Sequence, residues 1–451
     1  MNGLVVHAPT GASQTGPSRV NRHGRGEVFT GQSSLVPRVP VCHVAYARYP
    51  ADPRVRKEVQ TLKSAGFAVD VLCTRAPAEV DREVQSGVHI RRLPLGAHRG
   101  SRLRYAYQYL TFFLLVAASL FATHLFRRYR IIHVHSLPDF LILAALPCRA
   151  LGARLVLDLH ESMPEIYRAR FAAREGLFIE RLTFLAQRAS CALAARTITV
   201  NPTIATILES RGVPAARVAV VENAPDWSLE QIGPFPEASP DTAAEITIVG
   251  GLNAERDLSV VLRAAQQLRD RVRIRWRIIG PGEPRFVQGL RDQVRRLGIE
   301  GVVTIEDEVP AAMVPLLLAR TTVGVVSYQR NPLTEIATPN KAYEYAVAGK
   351  AMVVADLEAL RRLLGDAARY YRPGDAGDLA RNIGDLLENP TERERLGKAA
   401  RERIQAHRWD VMAGRLIQIY RECLSGAGVS ARSGAGREAT SEAAGRASDG
   451  R

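Results

Sequence analysis

The chain has 451 residues, of which 46% are hydrophobic, and it carries a formal net charge of +15. Its five cysteines are odd in number and show no paired spacing, which argues against a disulfide framework and against a zinc site. We expect reduced thiols in a cytoplasm. No apolar signal segment follows the N-terminal methionine, so nothing in the sequence indicates export.

Both ends of the chain have the composition of tails. Residues 1–38 and 427–451 are rich in Gly, Ser, Ala and Arg and show little hydrophobic periodicity, so we expect them to be disordered. The part between them is long enough to form two domains, each with a core of its own.

Between the tails, short apolar segments alternate with helical patterns along the whole chain. This alternation predicts an α/β fold in which helices cover both faces of parallel sheets. We predict strands near residues 41–47, 68–73, 88–93, 131–135, 154–159, 197–200, 218–221, 246–250, 273–279, 302–306, 322–327, 351–355 and 368–371.

The alternation restarts after a segment that contains Pro and Asp, residues 223–244, and we place a domain boundary there. The prediction is two doubly wound, Rossmann-like domains, residues 39–225 and 226–408, which face each other across a cleft. A last helix, residues 409–426, is predicted to cross back and brace the first domain.

A long apolar run, residues 105–126, lies in the most basic part of the first domain. No acidic residue occurs between Glu83 and Asp139, whereas eight arginines do. An apolar run bracketed by arginines is typical of a helix on an anionic membrane surface, where each basic residue contributes about 1 kcal/mol. We therefore predict a membrane-associating helix at residues 103–128.

Two alternatives remain open for this run. It is long enough to span a bilayer, but the strands near 41–47 and 131–135 are expected to join one sheet, and a spanning helix would put them on opposite sides. The other alternative is a long core helix that covers the sheet.

One stretch of the second domain predicts a helix that begins and ends at a ligand. Thr338 is a suitable N-cap, Pro339 suits the first helical position, and Gly349 supplies the stop. Lys341 then falls at the third position, where its charge opposes the helix dipole unless an anion is bound. Glu344 lies on the same face, so the pair suits the diphosphate and ribose of a sugar nucleotide. The alternative is an ordinary surface ion pair.

Ligands of doubly wound sheets collect at the carboxyl ends of the strands, so polar residues just after strands are candidates. In the first domain these candidates are Arg54, His135, Asp139, His160 and Glu161. A metal site is one alternative, but strand alternation brings only His135, and not His133, to the open end, so we predict no metal. A structural role for His160, satisfied by the backbone, is the other alternative.

The second domain offers further candidates after its first two strands. Arg256 has a forked guanidinium that suits phosphate. Gly280 and Gly282 allow the backbone to approach a nucleotide closely, although an ordinary turn explains a lone G-x-G equally well.

Together these motifs resemble the fourth family of retaining glycosyltransferases, over nearly all of residues 40–423. The resemblance is carried by P-x-K-x-x-E-Y starting at Pro339, by H-E-S-M-P-E starting at His160, and by D-P-R-V starting at Asp52. It implies the architecture called GT-B, which consists of two Rossmann-like domains across a cleft.

The resemblance also implies roles for single residues. His160, Lys341 and Arg256 would be catalytic, with His160 beside the sugar and the two cations on the diphosphate. Arg54, His135, Asp139 and Glu161 would bind the acceptor. The implied donor-binding residues are Glu344, Asn340, Thr338, Glu335, Gly280, Gly282 and Val309.

Two positions depart from the family pattern. Glu335 lies nine positions before the ribose-binding Glu344, whereas the family has two glutamates eight positions apart, so Ile336 holds the matching position. Gly251 stands where many members have an arginine that grips the diphosphate, and Arg256 replaces their lysine.

The implied function is the transfer of a sugar, with retention of configuration, from a nucleotide-diphosphate sugar to a lipid-linked or other membrane-associated glycan acceptor. Positive charge from Lys341, Arg256 and the helix N-terminus would stabilise the leaving diphosphate, so no metal or other cofactor is expected. We expect a cytoplasmic enzyme, peripheral on the inner face of the cell membrane, in surface polysaccharide or glycolipid synthesis.

Two other classes of function remain open, as does the oligomeric state. A nonhydrolysing sugar-nucleotide epimerase shares the fold, but it has no need of a basic apolar helix. Binding to nucleic acid would suit the positive charge, but the arginines bracket an apolar run and lack interleaved stacking aromatics, so no nucleic-acid partner is expected.

Overall fold

A computed structural model of the protein describes residues 38–95, 102–171, 177–225 and 243–425. We call residues 38–225 the N-terminal half and residues 243–425 the C-terminal half. The segments predicted to be disordered tails, 1–38 and 427–451, lie outside the described residues except for Arg38.

The described part of the N-terminal half contains one eight-stranded sheet. Its strands are β1 (Pro40–Val44), β2 (Ala68–Thr74), β3 (Arg82–Gln85), β4 (Val88–Leu93), β5 (Ile131–His135), β6 (Arg154–Leu159), β7 (Arg196–Thr199) and β8 (Val218–Val220). Their order is β3-β4-β2-β1-β5-β6-β7-β8. Neighbours pair in parallel, except that β3 pairs with β4 in the antiparallel direction.

The described part of the C-terminal half contains two three-stranded parallel sheets, in the orders β11-β10-β9 and β12-β13-β14. These strands are β9 (Ala244–Val249), β10 (Ile274–Ile279), β11 (Val303–Glu306), β12 (Gly324–Val326), β13 (Met352–Ala355) and β14 (Arg369–Tyr371). Strands β9 and β12 lie side by side, since the Thr322 N–H donates to the Glu245 carbonyl over 2.7 Å.

Helices connect the strands in both halves. Those of the N-terminal half are α1 (Pro53–Ser64), α2 (Arg102–Arg127), α3 (Leu146–Ala150), α4 (Met163–Phe171), α5 (Leu177–Leu193) and α6 (Pro202–Ser210). Those of the C-terminal half are α7 (Leu258–Leu268), α8 (Pro284–Leu297), α9 (Val314–Arg320), α10 (Pro332–Glu335), α11 (Asn340–Val347), α12 (Glu358–Leu364), α13 (Ala376–Glu388), α14 (Pro390–Ile404) and α15 (Trp409–Ser425).

The α/β prediction is confirmed, and each predicted strand is found with ends that differ by a few residues. The additional strand is β3, which the apolar pattern could not reveal because its four residues, Arg82–Gln85, are mostly polar. Buried parallel strands are nearly continuous apolar runs, whereas an edge strand such as β3 needs no such run.

The first sheet is covered on both faces. On one face, Phe112, Val116 and Leu120 of α2 pack over strands that include β5. On the other face, helices α1 and α15 pack side by side, and Tyr420 of α15 is completely buried. Helix α15, the last one among the described residues, therefore closes the core of the N-terminal half, although it belongs by sequence to the C-terminal half.

Helix α2 has one face in the core and an apolar face in solvent. Tyr107, Leu110, Leu114, Phe121 and Leu125 are each at least 40% exposed and recur at helical spacing. We call these five residues the outer stripe. By length and composition alone, residues Tyr107–Arg127 are apolar enough to cross a membrane, with a mean hydropathy of 1.8.

Strand pairing argues against a membrane-spanning α2. Strands β1 and β5 precede and follow α2 in sequence, and they are hydrogen-bonded neighbours with Val41 opposite Ile131. A membrane-spanning α2 would place these two paired strands on opposite sides of the membrane. The core-helix alternative describes the buried face of α2 correctly, but it leaves the outer stripe unexplained.

In the C-terminal half, Tyr345 of α11 packs against β12 at a point where only glycine fits. A Cβ atom at Gly324 would lie 2.7 Å from the Tyr345 ring. The Tyr345 hydroxyl donates to the Thr247 carbonyl of β9 over 2.5 Å, which fixes the ring in this position. The contact holds α11 against both three-stranded sheets.

We predict that Gly324→Ala lowers the free energy of unfolding by about 1–3 kcal/mol, because the added methyl group overpacks a core contact. Gly414→Ala is the matched control, since a Cβ at this exposed site in α15 meets no atom within 4 Å. The control should be neutral or stabilising by up to about 1 kcal/mol. Urea unfolding measures both. Equal effects of the two substitutions would contradict the packing described for α11.

Candidate active site

A cleft separates the two halves, and it consists of two pockets. The first pocket, of about 450 Å³, is lined by both halves, including Arg54, His160 and Thr338. The second pocket, of about 310 Å³, is lined mainly by the C-terminal half, including Lys341 and Glu344. The pockets share the lining residues Pro53, Asn223 and Asn340, so they are parts of one continuous cleft.

Helix α11 ends as predicted but begins later. Gly349 has φ +64°, its N–H donates to Ala346, and the next N–H donates to Tyr345, which is the expected Schellman stop. The prediction that Thr338 is the N-cap is wrong. The helix starts at Asn340 with Pro339 at the N-cap position, and the Thr338 hydroxyl instead accepts a hydrogen bond from Asn201 over 3.3 Å.

This shift places Lys341 at the second helical position rather than the third. Proline cannot supply a capping side chain, and the first-turn sequence N-K-A-Y contains no acidic residue. Nothing in the first turn therefore offsets the positive end of the helix dipole, which faces the cleft beside Asn340.

Lys341 and Glu344 form an ion pair with each other, as in the alternative interpretation, but the pair lies in a pocket. The exposed fractions of the two side chains are 9% and 15%, so it is not an ordinary surface pair. Both residues line the second pocket. Helix α11 thus contributes one cation and one carboxylate to the lining of the second pocket.

Glycine backbone forms another part of the lining of the second pocket. Gly250 and Gly280 have φ values of +128° and +149°, and a Cβ at Gly280 would lie 2.3 Å from the Gly250 carbonyl oxygen. These strand ends therefore require glycine. Val309 also lines the second pocket, whereas Gly282 does not, because it packs against Leu252.

The guanidinium of Arg256 lines neither pocket, but it lies near lining residues of both. A Cβ at Gly250, which lines the second pocket, would lie 2.8 Å from the Arg256 Nη2 atom. The same guanidinium is 5.8 Å from the ring of Tyr328, which lines the first pocket. A half-buried cation therefore stands close to both.

Glu335 is not brought to the cleft. Its carboxylate pairs with Arg330 over 2.9 Å and accepts a hydrogen bond over 3.0 Å from the backbone N–H of Glu358, the first residue of α12. It lines neither pocket, so its carboxylate serves the start of α12 instead of the predicted donor site.

Arg54 is committed to a buried ion pair. Its Nε and Nη2 atoms each donate to Asp158 over 2.8 Å, and Nη1 donates to the Val221 carbonyl over 2.9 Å. The side chain lines the first pocket but is only 3% exposed. Arg54 therefore holds Asp158 in place, which corrects the prediction that it binds the acceptor directly.

His160 is oriented by the same carboxylate. Its Nε2 lies 3.0 Å from Asp158 Oδ2, and Nδ1 of His135 lies 3.2 Å from that oxygen. Burial alone would raise the pKa of Asp158, but Arg54, His160 and the other histidine contacts hold this pKa well below its usual range. An ionised carboxylate only accepts hydrogen bonds, so His160 donates from Nε2 and its Nδ1 is a hydrogen-bond acceptor when the ring is neutral.

A chain of hydrogen bonds continues from His135 into the core. His135 Nε2 lies 2.9 Å from His43 Nδ1, and His43 Nε2 lies 3.2 Å from the Tyr420 hydroxyl. That hydroxyl lies 2.8 Å from His133 Nδ1. If His135 donates to Asp158, each of these contacts has one donor and one acceptor. This series of hydrogen bonds therefore links Tyr420 of α15 to His135, next to the cleft residue His160.

Burial makes most of this cluster uncharged. It lowers the pKa of His135 to about 3 and lowers the pKa of His43 and of His133. Burial, reinforced by the Asp158 charge, raises the pKa of Glu58 well above its usual range. The charges that remain are those of Arg54 and Asp158, which compensate each other.

The donor atoms of His43, Glu58, His133 and His135 lie close enough together to suggest a metal site. However, the rings of the three histidines are stacked, with interplanar angles of 16° to 30°. Stacked rings point their nitrogens side by side, whereas the ligands of a tetrahedral metal converge on one point. The geometry fits the hydrogen-bonded chain better than a metal site.

His135 and Asp139 do not reach the cleft, contrary to prediction. Both are buried and line neither pocket. Asp139 begins a 3₁₀ helix, accepts a hydrogen bond from Gln187 over 3.1 Å, and has a pKa that burial raises to about 7. Glu161, by contrast, is exposed and lines the first pocket.

Arg56 and Lys57 of α1 also line the second pocket, although no sequence pattern singled them out. Lys57 Nζ donates to Asn223 Oδ1 over 3.2 Å and lies 4.6 Å from the Trp409 ring centroid. These cations follow the D-P-R-V motif by one and two positions. The motif located the loop, but not how far α1 extends along the cleft.

Two family models match consecutive parts of the chain. The model described as "Glycosyl transferase 4-like domain" matches residues 51–224, and the model described as "Glycosyl transferases group 1" matches residues 243–389. Together they span both walls of the cleft. The chain belongs to the glycosyltransferases.

Relatives and solved structures agree with this assignment. Phosphatidyl-myo-inositol mannosyltransferase of Mycolicibacterium smegmatis is 36% identical over 19% of this chain, and the match spans only 22% of that protein. Sucrose-phosphate synthase from Thermosynechococcus elongatus is 19% identical with a TM-score of 0.71, over 86% of this chain and 100% of that one. HepE of Anabaena, in complex with UDP and glucose, is 13% identical with a TM-score of 0.63, over 85% of this chain and 100% of that one.

At these identities the solved structures establish the fold alone. This glycosyltransferase therefore has the GT-B fold, with two Rossmann-like domains, as the resemblance implied.

We predict that Asp158→Asn lowers the free energy of unfolding by about 3–5 kcal/mol near neutral pH, because it removes the ionised carboxylate that pairs with the buried Arg54 guanidinium. Because the folded-state pKa of Asp158 is depressed, its stabilisation is present above the pKa of an unfolded aspartate, about 3.9, and is lost as the pH falls towards the folded value. In urea unfolding, the gap between wild type and variant should therefore narrow below about pH 4.

Asp307→Asn is the control, since that side chain is 100% exposed. It should change the free energy of unfolding by less than about 0.5 kcal/mol. A gap for Asp158→Asn that persists unchanged into acid would mean that the Arg54–Asp158 charge pair is not its source.

Proposed function

We propose that this glycosyltransferase transfers a sugar, with retention of configuration, from a nucleotide-diphosphate sugar to a lipid-linked or other membrane-associated glycan acceptor. The observation that carries the proposal is the second pocket, which Lys341 and Glu344 line together with the glycine backbone of Gly250 and Gly280. The two side chains supply a cation and a carboxylate, and the two glycines let a large ligand approach the main chain.

In this proposal the donor exchanges places with the Lys341–Glu344 ion pair. The diphosphate binds to Lys341 and to the positive end of α11, and two ribose hydroxyls donate hydrogen bonds to Glu344. Each charged side chain keeps a partner when the donor binds, so neither is left buried and uncompensated. The base lies towards Val309, which lines the same pocket.

Catalysis in this proposal is electrostatic. Negative charge on the diphosphate grows as the glycosidic bond breaks, and Lys341, Arg256 and the α11 N-terminus are already positioned near it. Arg256 lies near Gly250 of the second pocket and near Tyr328 of the first, and the bond to the sugar would lie between these pockets. We propose that these cations supply the stabilisation without a metal ion.

The first pocket would hold the transferred sugar and the acceptor. His160 lines it and, when neutral, offers Nδ1 as an acceptor for a sugar hydroxyl. Glu161 is exposed at the same pocket and suits an acceptor hydroxyl. Retention is supported by the family resemblance, with attack from the face that the diphosphate leaves.

A membrane-bound acceptor is supported by α2 and by the relatives. The outer stripe exposes large apolar side chains in the part of the chain that has eight arginines and no acidic residue between Glu83 and Asp139. The mycobacterial relatives are named phosphatidyl-myo-inositol mannosyltransferases, a name that denotes an enzyme acting on a phospholipid. We propose a cytoplasmic enzyme that is peripheral on the inner face of the cell membrane.

We predict that Glu344→Gln weakens binding of a nucleoside-diphosphate sugar by about 1.5–3 kcal/mol, the usual contribution of a hydrogen bond to a charged group. Glu335→Gln is the matched control and should leave binding unchanged, because that carboxylate serves α12. Calorimetric titration of both variants with a panel of nucleotide sugars measures this. Normal donor binding by Glu344→Gln would contradict the donor site.

We predict that Lys341→Ala lowers turnover about 10²- to 10³-fold, because it removes a group that stabilises transition-state charge. Turnover of the unmodified enzyme should persist in the presence of a chelator. A pure rise in donor KM with unchanged kcat would show that Lys341 only binds the donor. Consumption of donor in the absence of any acceptor would instead favour an epimerase.

We predict that replacing Leu110, Leu114 and Leu125 by Ser releases the protein from anionic vesicles, since burying each leucine contributes about 1.5 kcal/mol or more. Val80→Ser with Leu316→Ser is the control, since these side chains are 60% and 41% exposed away from α2. Activity on a lipid-linked acceptor should fall more than activity on a soluble analogue. Unaltered co-sedimentation of the α2 variant would contradict the proposed membrane surface.

A further inference from the structure

A third cavity, of about 440 Å³, lies outside the cleft. It is formed by strand β2, the hairpin β3–β4 and the C-terminal end of α2, and it shares no lining residue with either pocket of the active site. We call it the basic groove. Its volume is within the range of sites that hold small molecules, about 300–1,000 Å³.

The interior of the basic groove is apolar. Leu72 of β2 lines it and is 4% exposed. Val84 of β3 also lines it and is 61% exposed, so the apolar surface continues from the floor of the groove to its mouth. An exposed valine at the mouth of an apolar cavity suits a hydrocarbon chain more than a hydrophilic ligand.

The carboxylates of the basic groove already have partners. Asp70 accepts a hydrogen bond from the Tyr129 hydroxyl over 2.6 Å and lies 3.3 Å from the Arg127 guanidinium. Glu83 pairs with Arg92 over 2.8 Å. The negative charges at the groove are therefore neutralised by neighbouring cations.

Two arginines of the groove lack such a partner. Arg82 of β3 and Arg91 of β4 lie directly opposite each other in the antiparallel pair, and both line the groove. Among the described residues, neither forms an ion pair with a carboxylate. Like charges directly opposite each other on two strands destabilise the pairing. A bound anion between the two guanidinium groups would remove this cost, and arginine can hold phosphate with two hydrogen bonds at once.

The groove adjoins the surface that is proposed to face the membrane. Thr123 and Arg127 line it from the last turns of α2. On the same turns, Leu125 and Phe126 are 50% and 88% exposed. If the outer stripe lies on a bilayer, the groove opens beside the lipid headgroups.

We propose that the basic groove binds one anionic phospholipid of the membrane. The headgroup phosphate lies between Arg82 and Arg91, and part of one acyl chain packs on Leu72 and Val84, which lie on the same face of the sheet as these arginines. This inference rests on the membrane association proposed above, but it concerns a separate surface with its own ligand. The site would hold the enzyme at anionic lipid independently of the donor and of the acceptor.

The test titrates the full-length protein with monomeric lysophosphatidylglycerol, with glycerol phosphate and with lysophosphatidylcholine. Lysophosphatidylglycerol should bind in a one-to-one ratio, and the other two at least tenfold more weakly, because they lack the acyl chain or the net negative charge. The double substitution Arg82→Gln with Arg91→Gln should weaken lysophosphatidylglycerol binding about thirtyfold, at about 1 kcal/mol per basic residue and 1.4 kcal/mol per factor of ten.

The charge-matched control is Arg149→Gln with Arg154→Gln, two exposed arginines of the same half that do not line the groove. It should leave the binding of lysophosphatidylglycerol unchanged. Equal loss in both variants would mean a diffuse charge effect and would overturn the site. Binding of glycerol phosphate as tight as that of lysophosphatidylglycerol would mean a site for a soluble phosphate and would also overturn it.

Co-sedimentation with vesicles of phosphatidylcholine, with and without phosphatidylglycerol, separates this inference from the proposed function. Release by the substitutions in the outer stripe, together with unchanged binding by the Arg82 and Arg91 variant, would refute the groove and leave the membrane association standing. Failure of the unmodified protein to bind either kind of vesicle would refute the membrane association. One-to-one binding of monomeric lysophosphatidylglycerol would still support the groove.

Discussion

The buried ion pair of Arg54 with Asp158 is the interaction on which the rest of this site depends. It joins the first turn of α1 to the end of β6, and through Val221 it reaches the connection to the second half. Because Arg54 keeps Asp158 ionised, the carboxylate can accept hydrogen bonds from His160 and His135 and so fix their orientation. Removing one partner alone leaves a buried charge without its main counterion. This destabilises a protein far more than replacing both partners by apolar residues does.

Much of the fold follows from local patterns. The strands were predictable because buried parallel strands are short apolar runs between turn signals, and β3 was not, because an edge strand has no such run. The end of α11 was predictable from Gly349, since a left-handed C-terminal residue is a local requirement. Its beginning was not, because Asn201, far away in sequence, takes the Thr338 hydroxyl that would have capped it.

The site residues divide in the same way. Lys341 and Glu344 were predictable as a pair on one helical face, and both line the cleft. His135 ends a strand that points at the cleft, and Asp139 follows that strand, yet a histidine chain and a 3₁₀ helix enclose them. Arg54 sits in a recognisable motif, but its partner lies 104 residues away. Strand position thus identifies the correct edge of the sheet, whereas only tertiary contacts decide which side chains at that edge are free to meet a ligand.

The central claim is that a nucleotide diphosphate occupies the pocket between Gly250, Gly280 and α11. The most direct measurement is a crystal structure of the full chain with UDP or GDP, whichever gives the larger thermal shift. We predict diphosphate oxygens at hydrogen-bonding distance from Lys341 Nζ and from the first N–H groups of α11, with the ribose on Glu344 and the Lys341–Glu344 ion pair broken. A nucleotide bound elsewhere, with that ion pair intact, would contradict it.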